Sequence, residues 1–408
     1  LISEWWFSAK GCRSNGSLFC RCITISSDGD DQFMKIFLRT NFKSNFMMKK
    51  VSSLFALSMF ALFANATVWT VDKTPGAGAQ FVEINSAISA SANGDTLLVH
   101  SCQYSYGGAT VDKSLTIIGP GHYPTVSGNL PASVANFLLV NGGSGTLIEG
   151  FVIGTLEAPV FNQVHNITIR NNYFSGSTAL AGPYGDFSGA DNWLIEGNVF
   201  ADAGGCSGCS LLNIRSSATG NDNWTFRNNF IQMNASAGTN AMISGANSTT
   251  IFANNILVHP NVGDIFLTSS FALLENNIFF NSSASLLDLT VGCASCTFNN
   301  NLFYHSSATL VDVPGVGNIM NENPEFVHLE GGLVDWNYAN DYHLNAGSPA
   351  IGTAADGDDM GIYGADYNFR MFGYTNDIPR LTEVLPQYIV VPVNGSFTID
   401  FSAAGAGQ

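Results

Sequence analysis

Asn166-Ile167-Thr168-Ile169-Arg170-Asn171-Asn172-Tyr173-Phe174 is a phrase to which the middle of the chain keeps returning. It recurs as Trp193-Leu194-Ile195-Glu196-Gly197-Asn198-Val199-Phe200 and as Trp224-Thr225-Phe226-Arg227-Asn228-Asn229-Phe230. Shorter copies carry Asn254-Asn255, Asn276-Asn277 and Asn300-Asn301, and a degenerate one is Leu147-Ile148-Glu149-Gly150-Phe151-Val152-Ile153. With Gly150 set against the second Asn of the later copies, successive copies lie 22, 26, 31, 26, 22 and 24 residues apart. Self-similarity at such spacings is the signature of a solenoid, in which each repeat buries its apolar face only by stacking on its neighbours.

Within a repeat, a first strand such as Leu211 to Arg215, Ala241 to Ser244 or Ile265 to Thr268 is followed by a polar turn and then the Asn phrase. Alternate residues are apolar, so one face of each strand points to a core. In a stack of such coils the second Asn of each phrase forms a column at one corner. Its amide both donates and accepts, so the column can hydrogen-bond along the axis, and Asn tolerates a left-handed corner. The residue before the Asn pair gives a second column, Glu149, Arg170, Glu196, Arg227. Its alternating charges are expected outside the sheet, each cross-strand pair contributing ~0.2–1 kcal/mol. Ahead of the repeats, Phe81 to Ile88 has apolar groups at helical spacing, stopped by Asn93-Gly94-Asp95. A short helix there would cap the open end of the first coil, as terminal repeats require.

Only 11% of the 408 residues are charged, and the formal net charge is −16. Residues 1–46 differ from the rest and are read as upstream of the folded protein. Residues 47–66 carry Met47-Met48-Lys49-Lys50, an apolar run from Val51 to Phe63 and Ala64-Asn65-Ala66, the layout of a cleaved secretory signal. The run is shorter than the ~20 residues of a membrane span. Cleavage there leaves seven of the 15 basic and 27 of the 31 acidic residues, a net of −20. Such a surface repels nucleic acid and anionic membranes. The protein is expected to be secreted or displayed at the cell surface, with no membrane span after cleavage, and to act as a monomer.

The repeats resemble those of right-handed parallel β-helix proteins, the pectate lyase-like superfamily, over residues 67–315. Asn323-Pro324-Glu325-Phe326, Gly347-Ser348-Pro349-Ala350-Ile351 and Asp359-Met360-Gly361-Ile362-Tyr363-Gly364 are similar to the tails of secreted bacterial β-helix proteins. The expected fold is therefore all-β, a right-handed single-stranded parallel β-helix with an N-terminal capping helix, spanning residues 67–364 with its C-terminal cap. Residues 365–408 read as a linker and the start of a β-rich module that stops short.

The resemblance places a sugar-binding cleft along the sheet of first strands. Its outward positions are expected to include Asp186, Asn213, Arg215, Met242, Phe266, Asp288 and Asp312. Asp288 and Asp312, one coil apart at roughly 5 Å, are spaced like a retaining glycosidase pair or half a calcium site, and equally like two solvated acids. Phe266 would stack on a sugar or lie under a loop. Asp356, Asp358 and Asp359 offer clustered oxygens for Ca²⁺, or close a turn. Cys206/Cys209 and Cys293/Cys296 have zinc-like spacing but fall at different corners ~14 Å apart, so local disulfides are expected. That leaves Cys102 over. The calcium cluster and Trp-Ile-Asp-His stretch of pectate lyases are absent, as are polygalacturonase motifs. Whether the chain is an enzyme stays open at this stage. Polysaccharide binding, a structural or adhesin-like stalk, and a lyase or hydrolase are the three readings.

Overall fold

The computed structural model describes residues 66–123, 130–159, 161–176, 179–182, 189–201, 210–214, 221–233, 241–259, 264–281, 292–306, 313–365, 367–375, 380–386 and 399–404. Residues 1–46 and all but Ala66 of the 47–66 segment lie outside them. Among the described residues no helix is long and apolar enough to cross a membrane.

The strand of each Asn phrase joins a ten-stranded sheet running from Val68–Val71 through Thr168–Arg170 to Thr297–Asn299. The residues just after each Asn pair join a second, fourteen-stranded sheet that includes Tyr173–Phe174, Phe230–Gln232 and Leu302–His305. Every pairing within both sheets is parallel, and neighbouring strands come from successive repeats. The chain is thus all-β with long parallel sheets, a topology compatible with a parallel β-helix. Strand Val152–Glu157 forks the second sheet, its first half pairing with Tyr173–Phe174 and its second with Leu180–Ala181. The one α-helix among the described residues is Ile84–Ala90, which buries Ile84, Ala87 and Ile88 in the main core.

That core is a set of columns, because register puts equivalent residues over one another. Ile148, Ile169, Ile195, Phe226, Phe252, Leu274 and Phe298 form one, all fully or almost fully buried. Rings stack where they meet: Trp193 on Trp224 at 4.3 Å, Phe226 on Phe252 at 4.6 Å, Phe174 on Phe200 and Phe279 on Phe303 at 4.7 Å. Each such side chain contributes about 1.5–3 kcal/mol on leaving water.

The second Asn of each phrase forms the expected ladder. Nδ2 donates to the next Oδ1 from Asn172 through Asn198, Asn229, Asn255, Asn277 and Asn301 to Asn318, at 2.9–3.3 Å. The other Nδ2 hydrogen reaches a carbonyl of the preceding repeat, as from Asn229 to Ile195 at 2.9 Å. Two expectations shift. Register pairs Glu149 with Arg170, and the Phe151 amide donates to Asn172 Oδ1, so Phe151 and not Gly150 holds the ladder position. The left-handed corner belongs to the first residue of the pair, with positive φ at Gly150, Asn171, Gly197, Asn228, Asn254, Asn276, Asn300 and Gly317.

These corner side chains grip the C-terminal segment, which runs back along them. Asn300 Nδ2 donates to Thr353 O, Asn276 Oδ1 accepts from Ala355 N, and Asn254 Nδ2 donates to Asp359 O. Asn228 Nδ2 donates to Ile362 O and Gly364 O, and Tyr367 donates its hydroxyl to Asn171 Oδ1 at 2.7 Å. Between the last two, a side chain at Gly197 would collide with the Tyr367 hydroxyl. Packing continues past residue 364, to Gly373 against His122 and Tyr374 against Gly121. The same segment lays Tyr342, Met360, Ile362 and Phe369 over the outer row Val199, Phe230, Ile256, Ile278 and Leu302, making a second core.

Asn229→Ala removes two donors and an acceptor inside this lattice and is expected to cost ~1–3 kcal/mol in urea unfolding; an unaltered midpoint would contradict the ladder. Burial pushes His122 down to about 3 and His259 down to about 4. Both are held neutral when folded, so their contribution is present above the ordinary histidine value and is lost as pH falls toward 4 and then 3. Melting temperature should drop over that window, and His259→Gln should flatten the fall.

Candidate functional site: an aromatic cleft

The sequence-derived positions divide into those the structure describes and those it does not. Asp186, Arg215, Asp288, Asp312, Cys206 and Cys209 lie outside the described residues. Asn213 ends strand Ser210–Asn213, partly exposed and in register with Ala181 and Ser244. Phe266 is a correction. It pairs in register with Ile243, is fully buried, and packs edge-on to Phe298 at 6.4 Å, so it has no face for a ligand. Leu267 follows Ser244 outward instead, and Met242 is buried as well.

The acidic tail segment closes a turn. Asp356 Oδ1 accepts from Asp358 N at 3.1 Å and Asp359 Oδ1 from Gly352 N at 2.9 Å. Among the described residues no group of three or more His, Cys, Asp or Glu converges as metal ligands. Asp356 and Asp359 thus each give one carboxylate oxygen to a backbone amide two to seven residues away, the turn-closing role expected as the alternative to Ca²⁺. Cys293 and Cys296 form a disulfide with Cα atoms 5.5 Å apart, and Cys102 is free and buried.

The charge column also differs from its reading as exposed pairs. Glu149 is wholly buried and Glu196 nearly so, with Arg170 2.8 Å from Glu149 and Arg227 2.7 Å from Glu196. Asn171 donates a further hydrogen bond to Glu149. The docked C-terminal segment packs beside them, Tyr367 bonding Asn171 and closing on Gly197. Losing one arginine would leave a buried charge, typically ~3–5 kcal/mol, well above the value of a surface pair.

The open feature lies on the outer face of the second sheet, where the C-terminal segment stands away from the strands. A cavity of about 230 Å³ is lined by Phe280, Tyr304, Ser306 and Asn323 on one side and by Leu329 and residues 332–335 on the other. Phe280 and Tyr304 occupy the same register position on successive strands, their ring centroids 5.0 Å apart. The volume is below the about 300–1,000 Å³ of drug-sized pockets and suits one ring of a ligand.

Asp335 is the acid of this cleft, and it is held from two sides. Its Oδ1 accepts from Gln232 Nε2 at 3.0 Å, while Gln232 Oε1 accepts from Trp336 N at 2.7 Å. Its backbone oxygen accepts from Tyr342 Oη at 2.7 Å and Asn340 Nδ2 at 2.9 Å. Burial raises the Asp335 carboxyl above the usual aspartate range. The arrangement is a pair of aromatic rings tilted 60° to each other, with amide, hydroxyl and carboxylate groups at the rim.

Sequence reading missed all three principal residues. Three places after each ladder Asn stand Ser175, Ala201, Gln232 and Val258, then Phe280 and Tyr304. Two consecutive aromatics at an outward position were a usable signal. Asp335 carried none, because it reaches the sheet only through the fold of the C-terminal segment.

Since folding raises the Asp335 pKa, the ionised form costs stability at neutral pH, and the cost vanishes below the unfolded value, where both states are protonated. Asp335→Asn should raise the melting temperature at pH 7 and leave it unchanged near pH 3; a lower melting temperature at pH 7 would contradict this account. Compared with protein-family models and with characterised proteins, the chain matches none.

Proposed function

We propose that the chain is a right-handed, single-stranded parallel β-helix of the pectate lyase-like kind, capped at its N-terminal end by helix Ile84–Ala90. It is exported and binds extracellular polysaccharide as a monomer. The observation that carries the binding role is the Phe280–Tyr304 pair facing Asp335 across a cleft that the C-terminal segment leaves open. Aromatic faces pack on the C–H face of a sugar ring, while a few convergent polar groups orient its hydroxyls, the usual division of labour in a ligand site. The adjacent lip supports the same reading, because Leu333 is 61% exposed beside the cavity.

The second reading is a stalk or adhesin arm. It is favoured by seven asparagines bonded in one unbroken column, a device for stiffness along the axis. A lyase or hydrolase would need Asp186, Arg215, Asp288 and Asp312 on the sheet of first strands, with Ca²⁺ as the cation those acids suit.

Tyr304→Ala should weaken binding to a retained polysaccharide by about tenfold with the fold intact by circular dichroism. If Asp288→Ala with Asp312→Ala abolishes binding and Tyr304→Ala does not, the site is on the other sheet. If the wild-type protein retains no glycan on a broad array, the stalk reading stands.

A further inference from the structure

We infer that the cleft selects an amine-bearing sugar, its ammonium group set against Asp335. The inference rests on the polysaccharide-binding reading and deepens it by naming the ligand class. Three observations lead to it. None of the residues lining the cavity is Lys, Arg or His, and one is an acid. Asp335 has a single side-chain partner among the described residues, the neutral amide of Gln232. No salt bridge of the described residues involves it, whereas Glu149 and Glu196 each face an arginine and the buried Asp95 is held instead by two backbone amides and the Trp69 indole.

Unlike Asp95, which takes three neutral donors, Asp335 has one side-chain donor and so keeps acceptor capacity for a ligand in the cleft. Burial unopposed by any cation is also what raises the Asp335 carboxyl. A neutral sugar would fill the cavity and leave that charge unpaired. A uronate would bring a second carboxylate into about 230 Å³ lined without a cation, which like-charge repulsion disfavours. A primary ammonium supplies both the missing charge and up to three donors, for Asp335 and for the Asn323 and Ser306 oxygens at the same rim. The net charge of −16 adds a field that draws cationic saccharides toward the surface. Phe280 and Tyr304 then hold the ring, and Asp335 chooses its substituent.

The test is calorimetric titration at pH 7, in 50 mM and 300 mM salt, with four trisaccharides: glucosamine, N-acetylglucosamine, glucose and galacturonate. The expected result is that the glucosamine trimer binds at least about tenfold tighter than the glucose trimer, the scale of one charge-assisted hydrogen bond. Asp335→Asn should erase that preference while leaving the weak neutral binding, and Tyr304→Ala should weaken all the ligands that bind. Asp356→Asn makes the same charge change at a remote turn and keeps the turn's acceptor oxygen. It should leave the preference intact. If Asp356→Asn costs as much as Asp335→Asn, the attraction is a general field and the inference falls. Equal or tighter binding of the neutral, acetylated or acidic trimer overturns it too, and leaves polysaccharide binding standing. Failure of all four, together with an empty array, removes both.

Discussion

A buried amide must find partners for two donors and for its oxygen, and the ladder satisfies this in only one register. Asn255 shows the full set. Its Nδ2 reaches Asn277 Oδ1 at 2.9 Å and Phe226 O at 2.9 Å, while its Oδ1 accepts from Asn229 N at 2.9 Å and Asn229 Nδ2 at 3.0 Å. A one-residue slip of any repeat would orphan several of these groups at ~1–3 kcal/mol each. It would also turn the inward Phe and Ile columns to the outside. With register held at this corner, the connections elsewhere are free to change length, which is why copies 22 and 31 residues apart stack equally well.

The repeat and its ladder were legible in the sequence because period and residue type point the same way. The division of labour inside the Asn pair was also written there, though less plainly. Glycine replaces the first member at Gly197 and Gly317 while the ladder asparagine stays at Asn198 and Asn318, which is the pattern of a left-handed first position followed by an amide-bonded second. Asn318 itself escaped notice because the strand residues that precede the Asn pair elsewhere are absent there. Phe266 was misplaced for a different reason. Ile265-Phe266-Leu267 is apolar without a break, so alternation gives no phase, and only pairing with Ile243 settles which face each residue takes.

Contacts between distant parts of the chain were out of reach. The asparagines at positive φ look structural from sequence alone, yet their amides hold a segment 53 to 196 residues away. That segment changes the physics of what it covers. Glu149 and Glu196 lie beside the docked segment as buried ions that require their arginines. The second core arises where the segment covers Val199, Phe230, Ile256, Ile278 and Leu302, which an uncovered sheet would expose.

The path of that segment also accounts for where the cleft lies. Beside the covered row runs a second outward row, Ala201, Gln232, Val258, Phe280 and Tyr304. Asp335 and Trp336 come down on it at Gln232, two repeats before Phe280, and the amide there is used up in holding them. Beyond this anchor, Leu329 and residues 332–335 leave a cavity over the two largest side chains of the row. Filling it with one apolar residue would bury more ring surface at about 25 cal/mol per Å², so a scaffold selected only for rigidity has an easy improvement here. The chain instead places an acid there, desolvated and without a cation, at a local cost to stability. That local cost, set beside an open aromatic surface, is the feature on which the proposed ligand site rests.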